Sequence, residues 1–178
     1  MKKYLIAITL IASLAVAQEP MKKQDAKKSE SKSEMKGKTM DHMSMSGHEF
    51  KSASGLQWGP APPGIPAGAQ AAVLSGDPTK GGMFTIRLKA PAGAKIMPHW
   101  HPTDENVTII SGSFSVGMGD KMDEAAAHKM SAGDFVSLKA KQRHYAIANT
   151  EAVVQIEAKG PFQITYVNPN DDPRNSKK

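Results

Sequence analysis

The stretch GAKIMPHWHPTDENVTIISG, Gly93–Gly112, holds the densest set of metal-ligating side chains in the sequence. His99 and His101 stand two residues apart in it. In an extended backbone, side chains at i and i+2 leave the same face. The two imidazoles therefore project together, with Trp100 on the opposite side. Pro98 and Pro102 bracket the pair; neither can donate to a ladder, and both stiffen the segment. Glu105 follows after a short turn, just before the apolar run Val107–Ile110. His144 opens another apolar run further along. Imidazole nitrogens and a carboxylate are the ligands that divalent first-row metals take. Three histidines and one glutamate fill four positions, so an octahedral ion would keep two open for water, oxygen or substrate.

Around this stretch the chain is a series of short apolar runs separated by Gly, Pro, Asp and Asn. They are Ala71–Leu74, Met83–Leu88, Val107–Ser111, Ser113–Met118, Phe135–Leu138, Tyr145–Ala148, Val153–Ala158 and Phe162–Val167. In Met83–Leu88, Phe84, Ile86 and Leu88 alternate with Thr85 and Arg87, which is the period of a half-buried strand. Asp123–Met130, with its run of alanines, is the single helix-like stretch and is expected in a loop. Many short strands without an amphipathic helix predict an all-β sandwich or barrel. No internal repeat is visible, which favours one barrel over two.

The N-terminal third has a different texture. Lys2 and Lys3 precede the apolar run Tyr4–Val16, and Ala15-Val16-Ala17 supplies a small-x-small cleavage pattern. Residues 1–17 read as a secretory signal peptide, which predicts a periplasmic or secreted protein with no stable membrane anchor after cleavage. Residues 18–50, rich in Lys, Ser, Met and His, cannot bury enough apolar surface to offset their ordering entropy and read as a disordered linker. The linker ends in Met40, His42, Met43, Met45 and His48. Thioethers and imidazoles suit copper, Cu(I) above all; a plain polar spacer accounts for the composition equally well. Residues 51–178 form the folded domain.

The chain has no cysteine. Disulfides, thiol chemistry, Cys-type zinc sites and iron–sulfur clusters are excluded. The net charge of +6 falls to +4 when Lys2 and Lys3 leave with the signal. The remaining lysines are scattered among acids and form no basic stripe, so nucleic-acid binding is not expected.

Gly93–Gly112 is similar to the first motif of the cupin superfamily: a glycine, five residues, His-x-His, three residues, Glu, six residues and a glycine. Gly93, His99, His101, Glu105 and Gly112 occupy every defined position. Gly133–Asn149, GDFVSLKAKQRHYAIAN, resembles the second motif through Gly133 and His144. It departs at Lys139, where the motif has proline, at Lys141, where it has glycine, and at Asn149, which comes one residue late. The two motifs and their flanking strands cover Leu56 to Val167. The resemblance implies a double-stranded β-helix, or jelly-roll, barrel with one divalent metal ion in its mouth. It also implies a homodimer, since many cupins pair by sheet edges.

The expected ligand set is His99, His101, Glu105 and His144, with Glu105 also the candidate base. Asp104 reads as a turn residue and His128 as an exposed loop residue. Arg87 is expected on the outer face, although its fork would suit an anionic substrate. Gln155 is weighed as a donor to a metal ligand against an ordinary strand residue, and Met97 as a pocket-lining side chain against core filler. Two functions follow. One is a metal-dependent enzyme of dioxygenase, isomerase or decarboxylase type acting on a small oxygen-rich organic molecule, with iron or manganese preferred and zinc, nickel and copper open. The other is a non-catalytic metal or small-ligand binder, copper-related through the Met/His linker. Fold alone does not separate them.

Overall fold

The computed structural model describes residues 49–175. The stretch read as a signal peptide, the cluster Met40–His48 and all but the end of the stretch read as a linker lie outside the described residues. Among the described residues eleven strands succeed one another: β1 Gly59–Pro60, β2 Gln70–Ser75, β3 Gly82–Ala90, β4 Lys95–Trp100, β5 Glu105–Ser111, β6 Ser113–Met118, β7 His128–Ser131, β8 Phe135–Leu138, β9 His144–Ala148, β10 Ala152–Gly160 and β11 Thr165–Tyr166. They form two antiparallel sheets, ordered β1-β2-β3-β10-β5-β8 and β11-β4-β9-β6-β7. The all-β double-stranded β-helix read from the sequence is the fold of the chain. Three short 3-10 turns are the helical content of the described residues, and no helix there is long and apolar enough to cross a membrane.

The alternation read in β3 continues across the six-stranded sheet. Phe84, Ile86 and Leu88 point inward and are 1–2% exposed. Their partners on β10, Val154, Ile156 and Ala158, lie beside them in antiparallel register. Burying a side chain of that size contributes roughly 1.5–3 kcal/mol. Inward residues of both sheets, among them Val107, Phe114, Val116, Leu138 and Ala146, close one continuous core.

Gly112 turns the chain between β5 and β6, and so between the two sheets. Its φ of 79° lies in the left-handed region, which glycine enters at little cost. A Cβ there would also lie 2.2 Å from the Glu151 carbonyl oxygen.

The helix-like reading of Asp123–Met130 is corrected by the structure. Asp123 accepts the backbone N–H groups of Ala125 and Ala126 through one carboxylate oxygen and closes a turn. His128–Ser131 then run as β7, the edge strand of the five-stranded sheet, paired with β6. Sheet pairing outweighs the helix propensity of three alanines, too few to nucleate a stable helix. The turn has a packing role. Its Asp123 carbonyl accepts the hydroxyl of Tyr145 at 2.6 Å, covering the outer side of β9. All five residues of β9 are buried.

Candidate metal centre

The fold brings His99, His101 and His144 together between the sheets, with Glu105 lining the same buried site. His99 on β4 is the register partner of His144, the first residue of β9. His101 follows β4 by one residue. Glu105, the first residue of β5, enters from the opposite sheet. All four side chains are buried, 3–5% exposed. The ligand atoms of the three histidines lie within 4.8 Å of one another. Glu105 stands nearer two of them, its Oε2 at 3.4 Å from Nε2 of His101 and 3.5 Å from Nε2 of His144.

Backbone carbonyls decide which imidazole nitrogen faces inward. His99 Nδ1 lies 2.7 Å from the Met97 carbonyl, His101 Nδ1 2.7 Å from that of Gln163, and His144 Nδ1 3.0 Å from that of Gln142. A carbonyl only accepts, so each Nδ1 carries the proton and donates it. With its proton on Nδ1, a neutral ring keeps a lone pair on Nε2, directed at the other two. Partners of this kind fix both tautomer and ring orientation in metal-binding histidines. The rings are also held against one another: His99 and His144 meet edge to face with centroids 4.2 Å apart, and Phe162 stacks on His101 at 5.1 Å and 22°.

The donor set that results is three imidazole lone pairs and a carboxylate, with every ring N–H turned away. The Glu105 contacts, at 3.4 and 3.5 Å, are too long for charge-assisted hydrogen bonds, which run near 2.7–2.9 Å. Two ligands each about 2.1 Å from one ion stand no more than about 4.2 Å apart, so these separations leave room for a cation. The three histidines can hold a metal ion, and their chemistry fits a divalent transition metal.

The electrostatics agree. Burial, reinforced by the closeness of the His144 and His101 imidazoles, pushes the His99 imidazole down to about 3, so the ring is neutral and free to ligate near neutral pH. Burial by itself would raise the Glu105 carboxyl. The close approach of His144, with His101 and His99 beside it, outweighs burial and holds the group below its ordinary value, as an anion.

The remaining candidates lie elsewhere. Asp104 is a turn residue: its carboxylate accepts Lys139 Nζ at 2.9 Å and the Ala140 amide at 2.8 Å. Arg87 and Gln155 pair on the outer face, at 3.4 Å, so Gln155 is not a donor to a metal ligand. His128 is exposed, on β7 rather than in a loop. Met97 serves through its carbonyl, not its thioether. The sequence reading missed the carbonyls of Met97, Gln142 and Gln163, which no side-chain pattern reports. It also missed the ring of Phe162. Its place just ahead of β11, within a run read wholly as strand, was the one signal for it.

Known structures share this fold. The polyketide cyclase RemF of Streptomyces resistomycificus superposes with a TM-score of 0.59 at 12% identity, over 71% of this chain and 89% of that one. A candidate acetylacetone dioxygenase of Methylibium petroleiphilum PM1 gives 0.55 at 20% identity, over 71% and 85%. A conserved Klebsiella pneumoniae protein with a double-stranded β-helix domain gives 0.51 at 18% identity, over 71% and 97%. At such identities the likeness concerns the fold. No curated protein matches the chain. A family model described as a domain of unknown function, DUF4437, matches residues 28–165. That match covers most of the sequence and encloses both histidine motifs, and the chain is a cupin-fold member of the DUF4437 family.

Proposed function

We propose that this protein is a metal-dependent cupin enzyme that binds one divalent transition-metal ion through His99, His101, His144 and Glu105 and acts on a small organic molecule through its oxygen atoms. One observation carries the reading: three imidazole nitrogens converge in a buried site, with the Glu105 carboxylate beside two of them, while all three ring N–H groups are committed to backbone carbonyls. Burying lone pairs and a carboxylate unpaired is costly, and a bound cation removes that cost. Structures of the same fold include a polyketide cyclase and a candidate dioxygenase, which supports a small-molecule substrate.

When bound, the ion would supply Lewis acidity toward a substrate oxygen. The chain's own residues would orient and move protons. The carbonyls of Met97, Gln163 and Gln142 hold the imidazoles in position. Glu105 is the group able to take a proton, since it is anionic and contacts two ligands, not three. We extend the proposal to export, with the signal peptide delivering the chain to the periplasm or medium.

The test is metal content by mass spectrometry on protein purified from its native compartment, wild type beside His101→Ala. About one equivalent of iron, manganese, nickel, copper or zinc, lost in the variant, supports the reading. No metal in either protein, and no uptake on reconstitution, overturns it.

A further inference from the structure

A cavity of about 30 Å³ continues from the histidines into the barrel, between the two sheets. It has room for about two water-sized spheres. Of its fifteen lining residues, the four polar ones are the proposed ligands themselves; the other eleven are apolar, and none is a lysine or arginine. Val116 and Ala146 come from the five-stranded sheet, Leu138, Val154 and Ile156 from the six-stranded one.

The chemistry of this wall is selective. A water inside needs two to four polar partners, and the polar atoms at the rim are already directed at carbonyls or at the metal point. A carboxylate or phosphate would meet no counter-charge. A sugar-like molecule would leave its hydroxyls unpaired, at a cost of the kind that excludes polar groups from cores. What fits is a few carbon-sized atoms without charge or hydrogen-bonding groups.

We propose that this chamber takes a small, uncharged, apolar group — a gas molecule or the short alkyl end of a substrate — while the ligand's oxygen end stays at the metal point. The substrate class deepens the metal reading and rests on it, whereas the chamber itself does not. The oxygen-rich substrate expected from the motif thereby becomes a molecule with a compact oxygen-bearing head and an apolar tail.

Xenon under pressure in crystals of the full chain tests the chamber directly, with or without metal. One xenon between Val116, Leu138 and Ile156 is expected, in metal-free protein as well, and Ala146→Val should abolish it while the melting curve reports the fold. Hydroxamic acids with methyl and ethyl tails, titrated into metal-loaded protein, then distinguish the sources. Affinity rising about fourfold per added methylene, with displacement of xenon, assigns the chamber to the substrate's tail. Flat affinity with xenon retained assigns it to a free gas. Loss of hydroxamate binding with xenon retained marks failure of the metal reading alone, and the chamber stands. A chamber filled with ordered water that admits no xenon in the wild-type protein overturns the proposal.

Discussion

The carboxylate of Asp104 accepts the backbone amide of Ala140 at 2.8 Å, and through that bond an exposed acid governs the geometry of a buried site. Ala140 lies in the turn Lys139–Gln142. The same turn sends the Lys141 amide to the His101 carbonyl at 2.8 Å and receives the ring N–H of His144 on the Gln142 carbonyl. The motif's usual proline and glycine are absent here, and Lys141 adopts a φ of 62°, where a side chain is disfavoured. Asp104 restrains the turn that the departing residues no longer shape by themselves.

Asp104→Ala is therefore expected to weaken metal binding by roughly tenfold, the lower end of what loss of an outer partner costs. Asp104→Asn keeps an acceptor for Ala140 and should recover most of the affinity. Isothermal titration of both variants with the native metal checks this. Equal affinities for Ala, Asn and wild type would show that the turn holds without Asp104.

Lys141→Gly removes the side chain from a left-handed position. The gain from relieved strain exceeds the loss from a freer unfolded chain, so a net stabilisation of about 0.5–1 kcal/mol is expected. Urea unfolding measures it. A clear loss of stability would mean that the lysine side chain makes a contact worth more than the strain.

The site imposes a pH dependence whose sign follows from His99. Its imidazole titrates near 3 in the folded protein and near 6.5 when unfolded. Between those values the unfolded chain binds more protons, so stability rises with pH. Metal-free protein should be fully stable above about pH 6.5 and lose a few kcal/mol as pH falls from there toward 3. Glu105, held below its ordinary 4.5, adds stability above that value that is lost as pH falls through its lower folded value. Urea midpoints of chelator-treated protein from pH 8 to pH 4 give the measurement. A midpoint independent of pH between 7 and 5 would refute the assignment of His99 as a buried neutral ring.

Much of this site was legible because its ligands are rare residue types at fixed offsets. His99, His101 and Glu105 lie within seven consecutive residues, and strand geometry aims the first two together. The alternation of Phe84, Ile86 and Leu88 exposed β3 and the class of the fold. The carbonyls that orient the rings were not legible, since every residue carries one and only the chain path selects Met97, Gln142 and Gln163. β7 was hidden for a different reason. Its edge pairing with β6 is a tertiary contact, and the preceding alanines carry a local signal of the opposite kind. The run Phe162–Val167 was read as one strand. Only Thr165–Tyr166 pairs with β4, because Phe162 and Gln163 are drawn aside to stack on and bind His101.

One core position couples the outer wall of the site to its ligands. A Cβ at Gly117, on β6, would fall 2.1 Å from Cζ of Tyr145 and 2.2 Å from its hydroxyl. Tyr145 is 1% exposed, is anchored to the Asp123 carbonyl and adjoins His144 on β9. Its ring cannot retreat without breaking that bond or moving the strand. Gly117→Ala should then cost about 1–3 kcal/mol, the usual range for overpacking a core. It should also lower metal affinity, as β9 shifts and carries His144 with it. Tyr145→Leu removes the ring atoms that clash, so adding it to Gly117→Ala should recover stability relative to the sum of the single changes, a coupling characteristic of residues in contact. Thermal melts of the four proteins complete the cycle. Additive losses would mean that the Tyr145 ring is not what makes glycine necessary at position 117.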